Sequence, residues 1–246
     1  MKILVCVSKT PDTTAKISFN GDSTEFNGAG VTYIMNPYDE WYALVRAIDL
    51  AKANNGTVTL INVGTPEDEQ IIRKGLALDA NDAVRIDLAP KSAMNTAFQI
   101  AEYARDKGFD LIFTGKETID YNGSEVGGMI AEYLDLPFIS YASKLDMAGK
   151  TATIERDIEG GVEVVEVDAP FVVSAAKGLA EQRIPNMVGI MKAKSKPLSV
   201  VPPKPFEELA TATHFELPTA KSGVKMIAPD NMEELVRLLH SESKVI

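Results

Sequence analysis

Cysteine is almost absent from this chain of 246 residues; Cys6 is the only one. One thiol excludes an internal disulfide and a cysteine-based metal cluster. Histidine is nearly as scarce. His214 and His240 stand far apart, with no acidic pair at ligand spacing, so neither a zinc site nor a Ser-His-Asp arrangement can be assembled from them. Positive charge is in deficit: 25 Lys and Arg against 35 Asp and Glu leave a formal net charge of -10. That balance argues against nonspecific binding to nucleic acid or to an anionic membrane. Long apolar runs are also missing. The opening Met1–Val7 is apolar but too short for a signal peptide or a span, so the protein is expected to be cytoplasmic and without direct membrane insertion.

What the chain does have is short apolar runs alternating with helical periodicity. Ile3–Val7, Thr57–Val63, Ala83–Ile86 and Asp110–Thr114 have the length and composition of buried strands. Between them, Tyr38–Asn54 carries Trp41, Leu44, Val45, Ile48 and Ala51–Ala53 at helical spacing and runs into Asn54-Asn55-Gly56, a C-cap signal. Thr65-Pro66-Glu67-Asp68 predicts a capped start for a helix over Glu67–Leu78. Ser92–Lys107 predicts a third helix, stopped by Gly108. Alternation of this kind gives an α/β fold, a parallel sheet with helices on both faces. Ligands of such sheets sit beyond the carboxyl ends of the strands, at a switch point. Here those ends are Val7-Ser8-Lys9, Val63-Gly64-Thr65 and Thr114-Gly115-Lys116.

The pattern changes after Asp135. Ser143–Asp146, Ala152–Asp157, Val162–Val167 and Phe171–Ala175 predict strands without helices between them, with turns at Ala148-Gly149-Lys150 and Glu159-Gly160-Gly161. They form an antiparallel strand extension on one edge, and residues 1–194 make one α/β unit. From Ser195 prolines at 197, 202, 203 and 205 favour extended backbone. Residues 195–246 still carry Leu198, Val200, Val201, Phe206, Leu209, Phe215 and Leu217, which favours an extended C-terminal arm laid on a partner over a disordered tail. A short helix over Asp230–Ser241, with Asp230 as N-cap, closes the chain.

Three segments could carry chemistry. Thr114–Gly128 follows a strand and precedes a helix expected from Ser124 to Leu134, and its glycines permit close backbone approach to a phosphate. It is neither a Walker loop nor Gly-x-Gly-x-x-Gly, so a phosphate loop and an ordinary Gly-rich turn both stay open. Asn36-Pro37-Tyr38-Asp39 opens the first long helix. Its plain reading is Asn as N-cap and Pro in the first turn; a site role arises only because the sheet brings Asn36 near the same crevice. Glu181–Lys194 mixes Met187, Val188, Ile190 and Met191 with basic residues, which fits a packed loop or an adaptable protein-binding surface, and packing is favoured on composition alone.

Together these segments resemble the electron transfer flavoprotein beta subunit family over most of the chain. The resemblance is carried by Ile154–Ser174, a charged strand, an acidic-Gly turn, a second strand and a Pro-led third strand. Asn36–Tyr38, Gly115–Asp120 and Ile190–Lys194 follow in the family's order and spacing. It implies an adenine-nucleotide α-hydrolase-like fold and a heterodimer with an alpha subunit that holds most of the FAD. It implies electron transfer from acyl-CoA dehydrogenases and related enzymes to a membrane quinone oxidoreductase, with no catalytic acid or base. It also implies a structural AMP in this subunit, or a second FAD there in electron-bifurcating members. The nucleotide would lie against Cys6, Asn36, Pro37, Tyr38, Asp39, Val63 and the loop Thr118, Ile119, Asp120, Tyr121, Asn122, Gly123, Ser124, Glu125, Val126 and Gly127, continuing to Met129. Glu125 stands where the family commonly has a neutral Gln, which adds repulsion toward a phosphate unless its side chain turns away. Met187 is the counterpart of an apolar anchor for partner docking. A stand-alone nucleotide sensor of the universal-stress kind would share the sheet and crevice but would not need Ile154–Ser174 or the arm. A nucleotide-hydrolysing enzyme lacks a metal-phosphate motif and a base.

Overall fold

The computed structural model describes residues 1–221 and 223–246. The chain runs β1 (Lys2–Cys6), β2 (Lys9–Pro11), β3 (Tyr33–Met35), α1 (Asp39–Ala53), β4 (Thr57–Gly64), a 3₁₀ turn (Pro66–Asp68), α2 (Glu69–Leu76), β5 (Asp82–Asp87), α3 (Ala93–Ala104), β6 (Leu111–Gly115) and α4 (Val126–Leu134). There follow β7 (Phe138–Ala148), β8 (Thr151–Ile158), β9 (Gly161–Asp168), β10 (Phe171–Ala175), α5 (Met187–Ala193), β11 (Leu198–Val201) and α6 (Met232–Ser241).

Nine strands form one sheet in the order β11-β5-β4-β1-β6-β10-β7-β8-β9. Pairing is parallel from β11 to β7 and antiparallel across β7, β8 and β9. The inner strands are buried on both faces, which is why every residue of β4 after Thr57 is buried, without alternation. One face packs under α1 and α2 through Leu44, Ile48, Ile71, Ile72, Leu60 and Phe113. The other packs under α3 and α4 through Ala97, Ile100, Ile130, Ile61 and Ile112. The predicted α/β sheet with helices on both faces and an antiparallel extension is the observed one. β1, β4 and β5 step outward in one direction and β6 pairs on the opposite side of β1, so the strand order reverses between β1 and β6. A crevice therefore opens beyond Cys6 and Gly115, between the two connections that diverge there.

Several expectations are corrected. β10 is not part of the antiparallel system; it lies between β6 and β7, parallel to both. Thr65 does not cap a helix with its side chain. Its hydroxyl turns to Asp68, and the α-helix starts only at Glu69 after the 3₁₀ turn. The residue at the start of α6 is Asn231 rather than Asp230. Between Pro197 and Pro202 the arm opens with a regular strand, β11, which pairs Leu198–Val201 with Ala83–Ile86. Beyond it, Gln99 bonds both backbone groups of Lys204, and Glu208 accepts from Ser92 and Asn95 at 2.6 Å each.

Candidate functional site

The crevice is built by the β1–α1 and β6–α4 connections. Asn36 was expected as the N-cap of α1, but Tyr38 occupies that position. The Asn36 carboxamide is fully buried and crosses the crevice instead. It donates to the Glu117 carbonyl at 2.9 Å and accepts from the Ile119 amide at 3.0 Å. Asn36 thus braces the Gly-rich loop against α1. That loop is closed from within by Ser124, whose hydroxyl donates to Glu117 at 2.9 Å, while Lys116 pairs with the other Glu117 oxygen at 3.1 Å. Burial raises the Glu117 carboxyl, but the bonds from Lys116 and Ser124 outweigh it and leave it below its ordinary value.

Four residues around this mouth take left-handed backbone: Tyr38, Asn122, Ser124 and Tyr141. Asn accommodates that region readily; Tyr and Ser do so at a cost that surrounding contacts must hold in place. The helices α1 and α4 both begin here, and neither receives a side-chain cap. Elsewhere α3 and α5 are capped by Ser92 and Asn186, while α2 and α6 also begin without a side-chain cap. Uncapped helix starts leave backbone N–H groups and a positive dipole end available to an anion.

A cavity of about 380 Å³ lies at this mouth, lined by Pro37, Tyr38, Asp39, Tyr42, Lys116, Glu117, Ile119, Asn122 and Lys177. Of the expected nucleotide residues it brings together Pro37, Tyr38, Asp39, Ile119 and Asn122. Cys6 and Val63 lie below it in the core on the α3 and α4 side. Burial, and secondarily Glu40, raises the Cys6 thiol, so it stays protonated. Asp120, Tyr121, Gly123 and Glu125 are exposed on the outer loop, Thr118, Ser124 and Val126 are half-buried, and Gly127 is buried. A Cβ on Gly127 would sit 2.8 Å from the Thr114 hydroxyl and 2.9 Å from Phe138, so glycine is what lets α4 close onto the sheet. The Thr114 hydroxyl has no hydrogen-bond partner among the described residues.

Sequence reasoning missed Tyr42, Lys177 and Glu40. Tyr42 lies one turn beyond Tyr38 on α1, a spacing that could have found it. Lys177 follows β10 and reaches the mouth only because β10 is inserted next to β6, which no local pattern signals. Glu40 is buried at the start of α1 and accepts from the Ser8 amide at 2.6 Å. Burial raises its carboxyl to about 8, the Ser8 bonds oppose this, and Asp120 and Asp39 add to it.

Comparison with known proteins agrees with this architecture. The family model described as electron transfer flavoprotein domain matches residues 25–205. The electron transfer flavoprotein subunit beta of Bacillus subtilis is 37% identical over 261 aligned positions covering all of both chains. That of Megasphaera elsdenii is 35% identical over 80% of this chain and 76% of its own. That of Syntrophomonas wolfei is 33% identical over 92% and 90%. The chain belongs to the electron transfer flavoprotein family. It is a beta-type subunit serving in electron transfer. Membership brings flavin-linked chemistry, and the beta designation brings an alpha subunit as partner. Among the described residues no helix is long and apolar enough to cross a membrane, and no cluster of His, Cys, Asp and Glu could hold a metal ion.

Proposed function

We propose that this subunit pairs with an alpha subunit and holds AMP as a structural ligand at the β1–β6 crevice. The pair then carries electrons from acyl-CoA and related dehydrogenases to a membrane quinone oxidoreductase and the respiratory chain. The carrying observation is the cavity at the uncapped start of α1, braced by Asn36, flanked by Lys116 and Lys177, and bordered by the loop that leads into the uncapped α4. A phosphate there would be held by the free N–H groups at the start of α4 and by the two lysines; Pro37, Tyr38, Tyr42 and Ile119 supply apolar surface for a base. Asp39 and Glu117 offset Lys116 and Lys177 in the lining, so retention depends on the backbone groups. Glu125 folds back over Gly123, its Oε1 lying 2.8 Å from where a Cβ on Gly123 would be. A volume of about 380 Å³ is near the lower end for small-molecule sites, which run from roughly 300 to 1,000 Å³. That favours a mononucleotide over a second FAD. FAD held mostly by the alpha subunit supplies the one-electron chemistry when bound. The residues here orient and enclose; none is placed to move a proton in a reaction. Met187, 72% exposed on α5, suits a docking anchor rather than the packed residue its composition suggested. Acid release from the purified heterodimer, with separate quantitation of flavin and AMP, tests the reading. One FAD and one AMP are expected; two flavins without AMP favour the bifurcating alternative.

A further inference from the structure

The docking role of Met187 requires that a short, exposed helix be held in one place. α5 has seven residues, and Met187, Val188, Ile190 and Met191 are all exposed on it, as is Ile184 just before it. Such a helix has little core of its own, and its position must come from its two ends. The C-terminal end is tied to α2. Arg73 donates to the carbonyls of Ala193 and Lys196 at 2.9 and 2.6 Å, and a Cβ on Gly189 would run into the Ala77 carbonyl.

The N-terminal end is tied to α1 through Arg183. Arg183 makes a two-pronged bond to Asp49, at 2.8 and 2.7 Å, and its backbone carbonyl accepts from the Trp41 indole at 2.9 Å. Trp41 and Asp49 stand eight positions apart on α1, about two helical turns, so they grip the segment at two points. Bidentate Arg–carboxylate pairing fixes orientation as well as distance, which a lysine could not do.

We propose that the Arg183 contacts with Asp49 and Trp41 form a latch that sets where Ile184 and Met187 are presented to a redox partner. Arg183 is then a positioning residue and touches no cofactor. This rests on the docking role of Met187, and two separate readouts keep the two ideas apart.

The first readout is hydrogen exchange of the peptide covering residues 180–192 in the coexpressed heterodimer. Arg183→Ala should speed exchange there by about two- to fivefold, from loss of one exposed ion pair and the order it imposes, with β4 and β6 unchanged. Unchanged exchange overturns the latch whatever Met187 does. The second is steady-state reduction by an acyl-CoA dehydrogenase. Arg183→Ala should raise KM for the dehydrogenase about three- to tenfold, leaving kcat and the flavin-to-protein ratio alone. The exchanged pair Asp49→Arg with Arg183→Asp keeps the Trp41 bond and should recover much of the wild-type KM. If Met187→Ala raises KM and Arg183→Ala does not, the latch fails and the anchor stands. If Met187→Ala leaves KM unchanged, the anchor fails, and the latch loses its docking role with it.

Discussion

The side-chain oxygen of Asn36 sits 3.0 Å from the backbone nitrogen of Ile119, across 83 positions of chain. With the matching bond to the Glu117 carbonyl, one carboxamide satisfies a donor and an acceptor of the Gly-rich loop. This makes Asn36 a scaffold for the site rather than a ligand group with free valence. Asn36→Ala would orphan both partly buried backbone groups. A loss of about 2–4 kcal/mol is expected, from one lost bond and one stranded group on each side. Urea unfolding of the heterodimer measures it. AMP content should fall in the same variant, because the loop then loses its fixed position. A variant with full stability and full AMP would remove the brace from the account.

Two glycines of the loop invite opposite expectations. A side chain on Gly123 would displace only the Glu125 carboxylate, the free end of an exposed side chain. One on Gly127 would press on Thr114 and Phe138 within the sheet–helix contact. Gly127→Val should therefore destabilise by about 1–3 kcal/mol, the usual cost of overpacking. Gly123→Val should change stability by no more than about 0.5 kcal/mol, as for other surface changes. Thermal melts of the two variants side by side decide the matter. Should Gly123→Val retain stability yet lose AMP, close approach of the ligand to that backbone is the remaining cause.

Glu40 couples the same region to pH. Its carboxyl titrates at about 8 in the folded chain against 4.5 as the ordinary value. Between those two values the unfolded chain has released a proton that the folded chain keeps. Stability from this group is thus fully present below pH 4.5 and declines as pH rises to about 8, by at most about 1.4 kcal/mol per unit. Glu40→Gln keeps an acceptor for the Ser8 amide and has no charge to bury. It should flatten the decline and leave the variant more stable than wild type at pH 8.5. Chemical unfolding at pH 5.5, 7 and 8.5 checks the sign; parallel curves for the two proteins would contradict the buried carboxyl.

Much of the parallel core was legible because each strand there carries its own signal. Ile3–Val7 and Thr57–Val63 carry apolar residues on both faces, and Tyr38–Asn54 has an unambiguous helical period. β10 was misplaced because its sequence records only that it is a buried strand, not which neighbours it has. β11 was hidden because four residues between prolines look like extended coil until β5 supplies the partner edge. The crevice was legible through strand ends and glycines. Lys177 and the Asn36 brace were not, since each depends on contacts between segments far apart in sequence. Met187 looked like a packing residue from its neighbours' composition, and only its exposure separates the two readings.

The arm brings the last test, and β11 moves where the cut must fall. Ending the chain before Ser195 would strip the strand that covers the β5 edge and the Lys196 ammonium that donates to the carbonyls of Leu76 and Ala80. Lost pairing with the alpha subunit would then report only on a damaged fold. Phe206 packs on Phe98 with ring centroids 5.1 Å apart, and Phe215 stacks on Phe19 at 5.3 Å, so this chain also holds the arm as far as Phe215. Beyond it Leu238 on α6 is buried, but Leu217, Val224, Met226, Met232, Val236, Val245 and Ile246 are all exposed. Met232, Val236 and His240 recur every four residues along one side of α6. Exposed apolar surface of this extent is unfavourable in a free chain and suits an obligate interface, which commonly buries roughly 2,000–5,000 Å² in all. A chain ending at Glu216 should therefore unfold at the same urea concentration as the full chain, each measured without partner. It should fail to retain the alpha subunit in a pull-down, and the alpha subunit's FAD should be lost with it. Pairing with normal flavin content would reduce the segment after Glu216 to a tail and move the interface to the exposed face of β8 and β9, where Val162 and Val164 stand open.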